Sequence, residues 1–595
     1  MSQPDDLATP DVVEGPVDEG FFAARRRRFA EKSRRERGVV LVWFALMLIV
    51  LMGFAGFAID LSNWWLQAER LQRAADSGAH AGVVYLPADL ANATSTARGE
   101  VAKNGYRTTG SNPQASIAVS QEPNPNRLRV ALTTTVDTFF VKLLGVESVT
   151  LTREAVAEYV SPVPMGSPQN KLGSDPDGVD PGTQLWVGAA GPQTGKQQGE
   201  RYGTKLCERT EFGCTASSSD EFSSDGYVYS VKVKSVSGSQ PLRIQIYDAT
   251  FVNQSPACTN MPAVDHALRN RYPDADTIYA SNADRCAGDT AWGAANVETT
   301  YTVAAPDDTK WTDNDNPVLN TTTCRPQTSL DYDPPYSPST NNSSQRQANA
   351  NYIRDRLLSS SDGVPNANDG LINMAEGYRR WFTICEIPAN QVKVGEYILR
   401  VRTSTKPNDQ TKYDASVSTE GYNSFAIRAG FGSTGLNNVN GTAVSIFAKG
   451  RLPIFANSKG ADTRFYLARI LPYDAGRTLR INLYDMGESS QSGTLRILAP
   501  DEYAGTFSGC RISRDDGASL SVDSSRCELS GVHSDSYNGR VLTIDVPIPQ
   551  NYSCAVSSDL GCWVKIQAKY PSSATVTDAT TWSAQILGNP IRLVE

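Results

Sequence analysis

Ten cysteines are the residues of this 595-residue chain best suited to covalent chemistry: Cys207, Cys214, Cys258, Cys286, Cys324, Cys385, Cys510, Cys527, Cys554 and Cys562. All follow residue 206. An even number confined to one part of a chain fits disulfides formed in an oxidising compartment. No Cys-x-x-Cys occurs, so neither a zinc ribbon nor a thioredoxin-like redox pair is supported. Spacing does not fix connectivity; the working expectation is pairing of sequence neighbours, 207–214, 258–286, 324–385, 510–527 and 554–562.

Other chemistry is thin. The only histidines are His80, His266 and His533, too few for a His-rich metal enzyme. There is no Gly-x-Ser-x-Gly elbow, phosphate-binding loop or His-Glu-x-x-His pair. The segment Asp175-Pro-Asp-Gly-Val-Asp180 lacks the alternating ligands and distal Glu of a calcium loop and reads as linker. Asp248 and Asp485 close two similar strands and are candidate calcium ligands, against the commoner reading of a strand-end Asp bonding its own turn. No catalysis and no obligatory cofactor is therefore expected, with calcium the single candidate. The net charge of −8 disfavours nucleic acid as a partner.

The elements that would position these groups begin with a charge asymmetry. Residues 1–24 hold six acids and no base; residues 25–37 hold eight bases against Glu31 and Glu36. Val39–Ile59 then runs 21 residues without charge, Pro, Asn or Gln. At about 1.5 Å per residue this spans roughly 30 Å, a bilayer core. The bases on the entry side place the N-terminus in the cytoplasm and residues 60–595 outside, as a single-pass cell-membrane protein. The run is too long for a secretory h-region and no Ala-x-Ala follows it. Gly38 between basic leader and apolar run resembles a prepilin peptidase site, although Trp43 stands where type IV pilins usually carry Glu. Beyond the membrane, Leu61, Trp64, Ala68, Leu71, Ala75, Gly78, Gly82 and Tyr85 alternate at three and four residues, a heptad seam with small residues late in it. That seam fits equally the protein's own first extracellular domain and other pilin-like helices.

Residues 37–82 resemble the N-terminal region of TadG-like proteins of the tight-adherence (Flp) pilus system. The resemblance rests on the Arg37-Gly38 entry, Phe44-Ala45-Leu46, Gly53, Gly56, Asp60 at the membrane exit, and Leu71-Gln72-x-Ala74-Ala75-Asp76-x-Gly78-Ala79. A second match covers Val136-Asp137-Thr138-Phe139-Phe140 to Leu144-Gly145, then Val149-Thr150-Leu151 and Ala155. The resemblance implies a pilus-assembly or pilus-associated membrane protein. Some such proteins carry a von Willebrand A-type domain. Asp414, Ser416 and Ser418 match its DxSxS metal pattern, but a polar, Pro-containing stretch precedes them where a buried strand is required.

Residues 88–160 read as a small α/β unit: a helix over 88–104, strands over 116–120 and 127–136, a short helix from Asp137 to Leu144 capped by Asp137, and a strand over 148–159. Beyond a Pro/Gly/Asp linker at 161–183, many short alternating segments separated by turn residues indicate β-sandwiches. Leu242–Asp248 repeats at an offset of 237 in Leu479–Asp485, Tyr229 meets Tyr466 at the same offset, and Thr383–Pro388 is echoed by Thr543–Val546. The expected organisation is α+β: a disordered cytoplasmic leader (1–37), a membrane helix with pilin-like unit (38–160), a linker (161–183), a jelly-roll-like sandwich (184–430) with a polar insertion near 290–375, and a second sandwich (441–595).

The expected function is pilus assembly or presentation through contacts with the membrane and with pilin-like or assembly proteins. The alternatives are an adhesin that binds a host surface or glycan and, less supported, a surface hydrolase.

Overall fold

The computed structural model describes most of residues 19–248, 298–330 and 381–594 and the short strand Ile372–Asn373. The pair Cys258/Cys286, His266, the DxSxS segment, the Asp175–Asp180 run and most of the polar insertion lie outside the described residues. The chain divides into two compact units, residues 1–159 with 591–595, and residues 160–590.

The first unit is built on one helix, α1, running Glu19–Gly82. It starts within the leader expected to be disordered. Its segment Ala23–Arg37 is dominated by Ala, Arg, Glu and Lys, strong helix formers with no proline to stop them. A second helix, α2 (Leu90–Lys103), starts at Asp89, whose side chain accepts the Asn92 N–H at 3.0 Å, and ends before Gly105 at φ +95°. Three strands follow: β1 (Ser116–Gln121), β2 (Arg127–Asp137) and β3 (Ser148–Tyr159). With the C-terminal strand Ile591–Val594 they make one antiparallel sheet in the order β1, β2, β3, C-terminal strand. The chain's last strand thus belongs to the first unit, not to a sandwich ending at 595. Its core joins Leu71, Ala75 and Ala79 of α1 to Ala93, Ala97 and Val101 of α2 and Leu128, Val130 and Leu132 of β2.

Among the described residues the second unit is dominated by two large sheets of ten and twelve strands that enclose its main core. The internal repeat is visible strand by strand. Leu242–Asp248 lies between Trp381–Ile387 and Tyr422–Phe431; Thr478–Tyr484 lies between Val541–Pro547 and Thr575–Ile586. Arg243 pairs with Glu386 at 2.6 Å and Arg480 with Asp545 at 2.7 Å. Gln245 meets Thr383 at 2.8 Å, and Asn482 meets Thr543 at 3.0 Å. Thr383 to Ile387 has one residue more than Thr543 to Val546. A bulge between the partners of Ile244 and Gln245 absorbs it and restores the register.

The repeats do not form two separate sandwiches at 184–430 and 441–595. Thr183–Ala190 is hydrogen-bonded to Tyr422–Phe431 on one side and Arg451–Lys459 on the other. In the other sheet Pro164–Met165, expected as linker, pairs with Ala448 and Lys449 on one side and Ala468 on the other. Both sheets therefore run through from one repeat to the other. Separate sandwiches would have left these edges with unpaired N–H and C=O groups; joining them satisfies the ladders.

Among the described residues four disulfides are formed: Cys207–Cys214, Cys324–Cys385, Cys510–Cys527 and Cys554–Cys562. Each joins neighbours in sequence. Replacing both Cys510 and Cys527, 17 residues apart, with alanine is expected to lower stability by about 3 kcal/mol through the freed unfolded chain. Urea unfolding followed by tryptophan fluorescence measures this; an unchanged midpoint would contradict it.

Candidate functional site on the long helix

The seam of α1 splits into two. Ala68, Leu71, Ala75, Gly78 and Gly82 are buried within the first unit. A Cβ on Gly82 would lie 2.6 Å from the Ala93 carbonyl oxygen, and one on Gly78 would lie 2.8 Å from Val101 Cγ2. The small residues thus let α2 cross α1 at close range, and this part of the seam packs on the protein's own domain. Gln72 adds a polar tie, donating to Asp76 Oδ1 at 2.8 Å and to the Glu154 carbonyl of β3 at 3.0 Å. Tyr85 is half-buried at the end. The earlier seam positions differ: Leu61 is about half exposed, and half-buried Trp64 lies edge-on to Phe57 with ring centroids 6.4 Å apart.

Between these halves sits Asp60, fully buried. Its Oδ1 accepts the backbone N–H of Phe139 at 2.7 Å; its Oδ2 accepts those of Phe140 at 2.8 Å and Val141 at 2.7 Å. These amides open the 3-10 turn Val141–Leu144 between β2 and β3. Such a turn leaves its first N–H groups without internal partners, and a carboxylate is their natural acceptor. The cap therefore comes from Asp60, about 80 residues earlier, and not from Asp137. Thr138 closes the other side of the loop, its hydroxyl donating to the Val146 carbonyl at 2.5 Å and the Glu147 carbonyl at 3.1 Å. Phe140 packs on Gly56, where a Cβ would come within 2.9 Å of its side chain.

From Val40 to Ile59 the helix presents its large apolar side chains to the outside, most of them more than half exposed. It is the one helix among the described residues long and apolar enough to cross a membrane.

In the second unit the calcium candidate Asp485 is buried, with φ +55°. Its Oδ1 accepts the Gly539 N–H at 2.5 Å, a contact 54 residues away rather than its own turn, and its Oδ2 has no hydrogen-bond partner among the described residues. The Asp248 side chain lies outside the description. Desolvation, then the Glu488 charge, pushes Asp485 well above the usual carboxylate range. Desolvation and Asp578 raise Glu488 to about 8. Desolvation raises Asp578 to about 6, opposed by N–H bonds from Gly487 and Glu488. Cys207, Glu211 and Cys214 have ligand-like spacing, but the bridge between the cysteines removes their thiolates. His533 accepts the Asp535 N–H at a helix start, and His80 is exposed.

Residues 38–92 match a family model described as putative Flp pilus-assembly TadE/G-like. That span holds the apolar run, Asp60 and the whole buried seam, so the stem is TadE/G-like. No curated protein and no solved structure matches the chain.

Two outcomes follow. Asp60→Ala removes the side-chain acceptor of three consecutive amides; exchange of Phe139–Val141 amide hydrogens is expected to accelerate roughly ten- to hundredfold, while β2 and β3 amides stay protected. Hydrogen exchange by mass spectrometry reads this, and unchanged protection at 139–141 would contradict it. The raised carboxyls mean that the folded second unit keeps protons which the unfolded chain releases above about pH 4. Stability should thus fall as pH rises from about 5 to 8, by at most about 1.4 kcal/mol per pH unit per group. Glu488→Gln and Asp578→Asn should flatten a chemical-denaturation profile across that range; equal slopes in wild type and variants would refute the assignment.

Proposed function

We propose that this protein is a single-pass, membrane-anchored component of an Flp (tight-adherence) pilus system that acts by protein contacts, with a cytoplasmic N-terminus and residues 60–595 outside. The change of surface along one continuous helix carries the reading. Before Asp60 the apolar side chains are exposed; from Ala68 onward the inward face is buried in the protein's own domain. An apolar helical surface of that length is stable in lipid and not in water. Trp43 and Trp64 stand 21 residues apart, about 32 Å along a helix, the separation of two interfacial aromatic belts. The Arg-rich stretch before the span sets the orientation.

Partners follow from what remains uncovered. The buried seam is occupied, so a neighbouring pilin-like or assembly helix would have to use the span itself or the exposed Leu61, Trp65 and Leu66 beside it. Protease supplied outside the sealed cytoplasmic membrane is expected to digest residues 60–595 and spare the leader, and crosslinking across the span to recover pilus components. Sparing of the bulk of the chain would refute the topology. Recovery of no pilus component would refute the assignment to the system.

A further inference from the structure

The turn between β2 and β3 carries apolar side chains that the described residues of the first unit leave largely uncovered. Leu143 and Leu144 are 83% and 82% exposed, Phe139 is 57% exposed, and Phe140 and Val146 are more than two-fifths exposed. We propose that this turn, Asp137–Val146, is immersed in the outer face of the bilayer that α1 crosses, making a second, non-helical membrane contact. The inference rests on the anchored reading above.

Depth is the first argument. Phe140 lies against Gly56, four residues and about 6 Å before Asp60 along the helix axis. The turn is therefore level with the last turn of the apolar span, not above it. Apolar side chains at that level sit 5–10 Å into the boundary of headgroups and acyl chains, the usual depth of interfacial segments. Phe54 and Phe57, at the same level of the helix, are likewise exposed.

Backbone chemistry is the second. Irregular backbone at membrane depth is tolerated only where its polar groups have partners. Here Asp60 takes the N–H groups of Phe139, Phe140 and Val141. Carbonyl oxygens take those of Thr138, Leu143 and Gly145. The arrangement would be unnecessary for a loop in water, where solvent serves the same amides. Lys142, the one base in the turn, is exposed, and its long stem lets the ammonium reach phosphate at the headgroup level.

The test uses the full chain reconstituted in vesicles of phosphatidylethanolamine and phosphatidylglycerol. A nitroxide is attached at Leu144→Cys, at Met52→Cys within the span, or at Lys103→Cys on α2; every described native cysteine is bridged and does not compete. Collision with oxygen, which partitions into lipid, is compared with collision with a water-soluble nickel chelate. The expected result is oxygen dominance at positions 52 and 144 and nickel dominance at 103. Nickel dominance at 144 with oxygen dominance at 52 overturns the immersion while leaving the anchor intact. Shielding of 144 from both reagents overturns it in favour of a protein occupant, a second copy included. Nickel dominance at 52 overturns the membrane reading and the inference with it.

Discussion

The structure of the stem depends on three hydrogen bonds to one carboxylate. Asp60 is the first charged residue after a 21-residue apolar run, and it is fully buried. A buried carboxylate without partners is among the costliest groups a fold can contain. Three consecutive N–H groups of the β2–β3 turn meet that requirement, and Asp60 in turn caps amides that the short 3-10 turn cannot satisfy itself. Each partner would be unstable alone at this place. Together they fix the height of the sheet along α1, because the contact is to one residue on a helix that rises in steps of about 1.5 Å.

Small residues then fix the distance. Ala68, Ala74, Ala75, Gly78, Ala79 and Gly82 form the inner face of α1, and larger side chains there would hold α2 and β2 away. A Cβ at Gly82 already collides with the backbone of α2, and backbone has little freedom to retreat. This explains why a small-residue face persists where larger apolar residues would bury more area. It also removes that face from intermolecular packing, which narrows the surfaces left for partners to the span and its immediate exit.

Much of the stem was legible in the sequence because its signals are local. An uncharged run of 21 residues, a basic flank and a seam at three-four spacing each read out within a few turns. Asp60 and the Val136–Gly145 stretch were also visible as two features of the family resemblance. Their contact was not, since nothing in either segment encodes a bond across about 80 residues. Asp137 was the expected cap because local capping is the common case; the long-range carboxylate won because β2 delivers the turn directly to the helix.

The β region shows the complementary limit. The repeated strands were legible because the Arg-x-x-x-Tyr pattern recurs, and the structure adds that matched ion pairs and Gln/Asn–Thr contacts recur with it. Ion pairs this exposed contribute little stability each; their recurrence speaks for common geometry rather than for strength. The strands that merge the repeats were hidden because they violate strand chemistry. Pro164 begins a two-residue strand inside an apparent linker, and Pro453 interrupts a central one. Pro453 is tolerated because Arg451–Lys459 pairs with Thr183–Ala190 only from Ile454 onward, so the missing N–H falls where no acceptor waits on that side. Proline there marks the end of a shared ladder. A boundary between domains would have required the neighbouring strands to stop as well, and they continue.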